Sequence, residues 1–354
     1  MKIALVGLPM AGKTTVFRLL FGEGVSDESR SYGLPEDHGR ILVIEDPRLT
    51  HLAQVYESKK TTPIAFELMD TPAIDPKSEK ERNRLFRMIQ GCDLLVWIIG
   101  VFEEMMVSPM EQMDQIKSEI ILRDLEILEN RIDRLESSKR KLDRMEEQEI
   151  PILYRMKEAL EQSSFPKSVY EPLDLEEKKR LGSYSLASIL PQFVILNMDE
   201  PAYETNQDLV KQIQPFIQQN ALDVLAVCGK LEMEINSLEE EERSGFMHEL
   251  GVAEPFIQRF ATKVMKHGNR ISFFTSGREE SRAWILEHGS TALQAAGEVH
   301  SDMERGFIRA EIIKYDDFKA SGSEKSLKEK GLIKVVGKEH PIEDGDILHI
   351  RFNV

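Results

Sequence analysis

The sequence predicts an α/β protein with a mainly parallel sheet wrapped by helices, a helical insertion, and a small mixed α+β module at the C-terminal end. Three observations predict it. Short apolar runs alternate with amphipathic stretches through the N-terminal part. The long stretch between Ile99 and Phe193 holds no convincing strand but carries a helical apolar repeat. After about residue 270 the pattern changes to short strands separated by turn residues.

In chain order, the expected strands of the first part are 3–6, 64–69, 94–99, 193–196 and 224–227. Within the insertion Ile121, Leu125, Leu128, Ile132, Leu135 and Leu142 follow spacings of four and three, with Lys139 interrupting the seam, so a coiled-coil helix is expected. Pro151 can open a return helix in which Leu153, Met156 and Leu160 share one face. The same seam suits an arm packed on its own domain or a protruding arm that binds a partner. The closing module is expected to hold strands at 271–275, 283–286, 306–315 and 347–354, with Asp344-Gly345 as a hairpin-type turn. These readings divide the chain at 1–110, 111–182, 183–270 and 271–354.

The chain has 354 residues, 41% of them hydrophobic and 31% charged, which suits folded domains with sizeable cores. The net charge of −16 argues against a broad basic surface for nucleic acid, and no DNA partner is expected. The longest apolar run, 94–102, is too short for a membrane span, no signal peptide is read, and a cytoplasmic protein without membrane partners is expected. Cys92 and Cys228 are too few and too far apart for a disulfide framework, so both are expected to be buried thiols. The eight histidines do not cluster, which removes the usual zinc and histidine-based nucleophile chemistries.

The chemistry concentrates near the N-terminus. Gly7-Leu8-Pro9-Met10-Ala11-Gly12-Lys13-Thr14 matches the phosphate-loop pattern between a predicted strand and a predicted helix. Its glycines let backbone N–H groups curl around phosphates, Lys13 supplies a point charge, and the Thr14 hydroxyl can ligate Mg²⁺. The expected nucleotide contacts are therefore Gly7, Met10, Ala11, Gly12, Lys13, Thr14 and Thr15. Asp70 follows a strand and is expected to help hold Mg²⁺ with Thr14, Lys13 and Asp70 being the catalytic candidates. Asn197 and Cys228-Gly229-Lys230 also follow strands, and ligands of open α/β sheets bind outside those ends.

A guanine-specific protein of this class would carry Asn-Lys-x-Asp, whose carboxylate accepts from the guanine ring N–H and amine. Here the residues are Asn197-Met198-Asp199-Glu200, which weakens guanine specificity. Asn197, Met198, Glu200, Cys228 and Gly229 are the base-side candidates. The competing reading of Asn197 and Asp199 is a turn or helix cap before Pro201, and Cys228 either touches nucleotide or simply packs.

On these residues the chain resembles the Obg-like ATPase family, the YchF-type branch of P-loop proteins. The resemblance runs through the phosphate loop, Asp46-Pro47-Arg48-Leu49, 70–74, the insertion, 197–200 and Lys230-Leu231-Glu232. It is strongest in Phe273-Phe274-Thr275, Ala295-Ala296-Gly297, 306–311 and 344–354. It implies a nucleotide-binding domain interrupted by a coiled coil, a C-terminal TGS-type β-grasp domain, ATP rather than GTP as ligand with Mg²⁺, and association with ribosomes or ribosomal RNA.

Departures from the family pattern carry expectations too. Family members have Asn where this chain has Met10, and in related proteins that Asn helps bind a catalytic K⁺. A thioether is a poor donor for a hard cation, so potassium activation is not expected. The segment 33–39 lacks the expected threonine, leaving Ser29 and Ser31 as weak substitutes. Ala73 takes a glycine position and Ile74 the place of a water-orienting glutamine, so turnover is expected near an unassisted Ras-type rate or below. The expected function is a slow Mg²⁺-dependent triphosphatase that regulates contact with the translation machinery. The alternative is a nucleotide-holding interaction protein acting through its arm and C-terminal module.

Overall fold

A computed structural model describes residues 1–21, 39–75, 77–249 and 252–353. Among the described residues the strands are β1 (Lys2–Val6), β2 (Arg40–Ile44), β3 (Thr61–Thr62), β4 (Ile64–Asp70), β5 (Leu94–Val101), β6 (Gln192–Met198), β7 (Val224–Val227), β8 (Arg270–Ser276), β9 (Ser281–Glu287), β10 (Phe307–Lys314), β11 (Lys334–Val336) and β12 (Asp346–Phe352). Contacts group the chain into two units, Met1–Arg40 with Glu67–Phe260 and Ile41–Phe66 with Ala261–Val354.

The first sheet has the order β2-β4-β1-β5-β6-β7. β1 pairs in parallel with β4 and β5, β5 with β6, and β6 with β7. The run that predicted β5 is apolar without alternation because both faces of a parallel sheet are covered, and residues 94–99 are all fully buried. Parallel pairing places the C-terminal ends of β1, β5, β6 and β7 on one edge, where the sequence motifs begin. β2 escaped the sequence reading because only Leu42 and Ile44 are buried in it, too short an alternation to stand out.

The insertion holds helices Pro109–Glu136 and Arg144–Glu161, opened by capping boxes at Ser108/Glu111 and Asp143/Glu146. Leu128, Ile132, Leu135, Leu153, Met156 and Leu160 are buried between and beneath them. Two expectations are corrected. The return helix starts at Arg144 because the Asp143 cap fixes its origin, and Pro151 lies inside it. Lys139 and Leu142 fall in the connecting turn, since the first helix ends at Glu136. Arg131 crosses to buried Glu149, its Nε donating at 2.9 Å, and Tyr154 Oη donates to Glu136 at 2.7 Å.

The second sheet has the order β11-β10-β12-β8-β9-β3. Its central pair, β12 and β8, is parallel, while β8/β9, β10/β12 and β10/β11 are antiparallel. With helix Ala292–Val299 packed on Phe273, Phe307, Ile312 and Leu348, this is a β-grasp arrangement. Asp344-Gly345 is therefore not a hairpin turn, because β11 pairs with β10 rather than β12. Gly345 has φ +84, and the Asp344 carboxylate accepts from Ser272 N at 2.8 Å at the entry to β12.

The segment 41–66, read from sequence as part of the nucleotide-binding domain, groups with this second unit, and Asp46-Pro47-Arg48-Leu49 shows why. Asp46 caps helix Pro47–Val55, and Pro47 takes the first position, where its missing N–H costs nothing. Arg48 Nη2 donates to Asp46 at 2.8 Å and to Ser272 Oγ at 2.9 Å, and Nη1 donates to Asp344 at 2.7 Å. Its guanidinium lies 5.1 Å from the Phe274 ring centroid, and Leu49 is buried. Both cysteines are buried thiols. Among the described residues no helix is long and apolar enough to cross a membrane.

Candidate nucleotide-binding site

β1 is buried from Ile3 to Val6 and delivers Gly7 flush against β5. A Cβ on Gly7 would stand 2.5 Å from Ile98 O, so no side chain fits there. The turn closes with Ala11 N donating to Leu8 O at 3.3 Å, and Val16 N donates to Gly12 O as helix Lys13–Phe21 begins. Met10 and Gly12 have φ of 63° and 85°. Positive φ suits glycine and strains methionine, whose side chain extends into solvent, 76% exposed. Turned residues of this kind before a helix N-terminus point successive N–H groups into one concavity, an anion cradle.

Lys13 lies over that loop, with Nζ donating to Gly7 O at 3.0 Å and Leu8 O at 3.4 Å. Burial pushes its ammonium down to about 8, partly opposed by the nearby Asp70 carboxylate. A polyphosphate would raise it again, so binding takes up a proton once the solution pH exceeds about 8. The sign is testable. Triphosphate affinity is expected to fall as pH rises from 8 towards 10, and calorimetry at pH 8.5 in buffers of different ionisation enthalpy should report proton uptake. Affinity that is flat across this range would contradict the assignment.

Asp70 ends β4, half-buried, while Thr14 is exposed at the start of its helix and Thr15 is half-buried. Hydroxyl and carboxylate oxygens are hard donors that suit Mg²⁺, which ordinarily keeps waters and phosphate oxygens as its remaining ligands. Thr14 and Asp70 supply donors of this kind, and among the described residues no cluster of three His, Cys, Asp or Glu is present. Beyond Asp70 the chain folds back: Thr71 Oγ1 donates to Leu5 O, and Ile74 N donates to Gly7 O at 3.0 Å. Ile74 is 2% exposed and belongs to the apolar cluster that also holds Leu8, Met69 and Leu85. Ala73 does not take positive φ. The segment 33–38, with Ser29 and Ser31, lies outside the described residues.

Asn197 lies near the end of β6 and is buried, with Nδ2 donating to Ala11 O at 3.4 Å. A Cβ on Gly12 would fall 2.0 Å from Asn197 Nδ2, and one on Gly229 would fall 3.0 Å from both Asn197 Oδ1 and Thr15 Cγ2. The structure thus brings together Ala11, Gly12, Thr15, Asn197 and Gly229, with Asn197 as the strut between two loops. Met198 and Cys228 are both buried, 1% exposed each. Burial pushes the Cys228 thiol up. Asp199 caps helix Glu200–Glu204, its Oδ1 accepting from Ala202 N at 2.9 Å and its Oδ2 from Glu103 N at 3.3 Å. Exposed Glu200 pairs with Lys230 at 3.0 Å.

Two residues escaped the sequence reading. Phe102, at the end of the apolar run, has its ring 3.6 Å from where a Gly12 Cβ would stand. It also lines a cleft of about 490 Å³ with Gly100, Glu103, Met105, Asp199 and Thr205. Gln112 is fully buried and fixes that wall: its amide donates to Gly100 O at 2.7 Å and Val107 O at 3.0 Å, and accepts from Gly100 N at 3.0 Å. The aromatic ending a strand run was a usable signal for Phe102. Gln112 gave none, since it reads as an ordinary helix residue.

A parallel sheet whose first strand enters a Gly12-Lys13-Thr14 loop defines a P-loop NTPase domain, here followed by a β-grasp unit. A family model described as 50S ribosome-binding GTPase matches residues 2–132, and the YchF GTPase C-terminal model, described as a protein of unknown function, matches residues 270–353. The chain is 32% identical to the ribosome-binding ATPase YchF of Haemophilus ducreyi over 100% of its own length and 99% of the relative's. It is likewise 32% identical to that of Bacillus subtilis, covering 99% and 98%. The Schizosaccharomyces pombe YchF GTPase structure superposes with a TM-score of 0.83 at 22% identity, over 99% of this chain and 97% of that one, so the two share a fold. The chain belongs to the YchF family.

Proposed function

We propose that this protein is a slow, Mg²⁺-dependent nucleoside triphosphatase that prefers ATP to GTP and associates with ribosomes. The observation that carries the reading is the loop itself: Lys13 poised over Gly7 O, beside Asp70, with Gly12 locked against Asn197. Lys13 and the loop N–H groups hold the phosphates and stabilise charge developing on the transferred group. Thr14 and Asp70 would hold Mg²⁺, which would supply charge neutralisation of the phosphate oxygens.

The preference for ATP rests on carboxylates already engaged. Guanine recognition needs a carboxylate turned to the ring N–H and amine, yet Asp199 accepts from two backbone N–H groups and Glu200 pairs with Lys230. Phe102 offers an aromatic face that any purine can use. Slow turnover follows from Ile74, whose buried apolar side chain cannot orient a water. The relatives named ribosome-binding ATPases support the partner.

Parallel titrations with ATP, GTP and their diphosphates, followed by single-turnover hydrolysis with and without ribosomes, test this. ATP is expected to bind more tightly than GTP and to release phosphate slowly. Tight binding without release under either condition would make the chain a nucleotide-holding interaction protein instead.

A further inference from the structure

β1 pairs with β5 only as far as Val6 opposite Trp97, whereas β6 follows β5 to Gly100 opposite Asn197 and on to its end. Successive residues of a strand direct their backbone polar groups to opposite neighbours. Val101 O accepts from Asp199 N at 3.2 Å on the β6 side, so the N–H and C=O of Gly100 face the side on which β1 has ended. Gln112 takes both. Its Oε1 accepts from Gly100 N at 3.0 Å and its Nε2 donates to Gly100 O at 2.7 Å, so one side-chain amide stands in for the backbone that β1 no longer supplies. The amide is fully buried, and its loss would leave both backbone groups unpaired away from water.

Gly100 is also where the phosphate loop comes to rest on the sheet. A Cβ there would stand 3.0 Å from Ala11 Cα and 3.0 Å from the Phe102 ring, and that ring is in turn 3.6 Å from the Cβ position of Gly12. Ala11, Gly12 and Phe102 therefore close around one stretch of backbone. Gln112 Nε2 donates as well to Val107 O at 3.0 Å, which ties the far end of the loop beginning at Phe102 to the same amide, and Glu103 N donates to Asp199 Oδ2 at 3.3 Å between them. Gln112 itself is fixed near the start of helix Pro109–Glu136 by the Ser108/Glu111 capping box.

We propose that Gln112 is a positioning residue of the triphosphate site, holding the backbone of Ala11 and Gly12 in place through Gly100. The inference rests on the proposed triphosphatase reading and adds a residue to that site which touches no ligand. Turnover should depend on Gln112 more than affinity does. Binding is shared with Lys13 and the metal, whereas loop N–H groups stabilise developing charge only when they are accurately placed.

The test uses the full chain with Gln112→Met, which keeps the side-chain length and removes the amide. Single-turnover phosphate release at saturating ATP and Mg²⁺ is expected to fall by about one to two orders of magnitude, with ATP affinity within about fivefold of wild type. Gly100→Ala disturbs the same contact with Ala11, so combining it with Gln112→Met should slow release by less than the product of the two single effects. A protonated glutamic acid can accept from Gly100 N and donate to Gly100 O, so the rate of Gln112→Glu relative to wild type should recover towards acidic pH and fall as the carboxyl ionises. Trp97→Phe controls for lost stability, since it removes another buried bond of β5, Trp97 Nε1 to Gln192 Oε1 at 2.8 Å, that does not involve Gly100. It should lower the unfolding midpoint and leave release unchanged.

An unchanged rate in Gln112→Met, an equal loss in Trp97→Phe, or fully multiplicative effects of Gln112→Met and Gly100→Ala overturns the proposal. Hydrogen exchange in the nucleotide-free chain reads the loop without turnover: residues 10–13 should exchange about tenfold faster or more in Gln112→Met and at the wild-type rate in Trp97→Phe. If wild-type chain releases no phosphate, the triphosphatase reading fails, and the exchange comparison decides the role of Gln112. Unchanged exchange in Gln112→Met then overturns it, and selectively faster exchange upholds it.

Discussion

Lys13→Ala is expected to weaken ATP binding by about one to two orders of magnitude, the equivalent of ~1.5–3 kcal/mol for a charge-assisted contact. Where nucleotide still saturates, phosphate release should fall by a further ~10²–10³, the usual cost of removing one preorganised donor from developing charge. The fold should survive. Gly7 O still accepts from Ile74 N at 3.0 Å and Leu8 O from Ala11 N at 3.3 Å, so neither carbonyl is orphaned when the ammonium goes. Removing a desolvated cation also relieves the burial that pushes Lys13 down to about 8. Isothermal titration together with thermal unfolding separates the two effects. Unchanged ATP affinity would remove the loop from the function altogether.

Gly12→Ala should damage both the fold and the site, through one atom. The new methyl would occupy space 2.0 Å from Asn197 Nδ2, and the backbone there has φ +85. Left-handed backbone costs a non-glycine residue ~1–2 kcal/mol before any clash, and displacing Asn197 strips Ala11 O of its partner. The total expected is about 2 kcal/mol or more of stability, read as a lower unfolding midpoint. Since Asn197 also abuts Gly229, the base side moves with the phosphate side, and affinity for triphosphate and free nucleoside should fall together. A variant with normal stability and normal ATP binding would show that Asn197 is not the strut described.

The parts of this site that were legible in the sequence are the local ones. Gly7, Gly12, Lys13 and Thr14 announce a phosphate loop because backbone curvature and helix entry are decided within a few residues. The buried strands announce themselves because parallel sheets need uninterrupted apolar runs. The bland reading of Asp199 as a helix cap was also available locally, from Pro201 two residues on, and the capping hydrogen bond is present. Gln112 and the start of the return helix at Arg144 were not separable from their neighbours by residue type alone.

What only the tertiary structure decided depends on partners far apart along the chain. Asn197 becomes a strut because Ala11, 186 residues earlier, meets it across the sheet edge. Arg48 binds Asp344, 296 residues away, and that contact ties the Asp46-Pro47-Arg48-Leu49 motif into the β-grasp unit. Ile74 is a core residue rather than a surface substitute for glutamine because it is buried in the apolar cluster that also holds Leu8, Met69 and Leu85. Local sequence sets backbone geometry and the chemistry a residue carries. Whether a side chain is engaged, buried or turned to solvent is set by long-range packing, since that depends on which distant groups satisfy its hydrogen bonds and exclude its water.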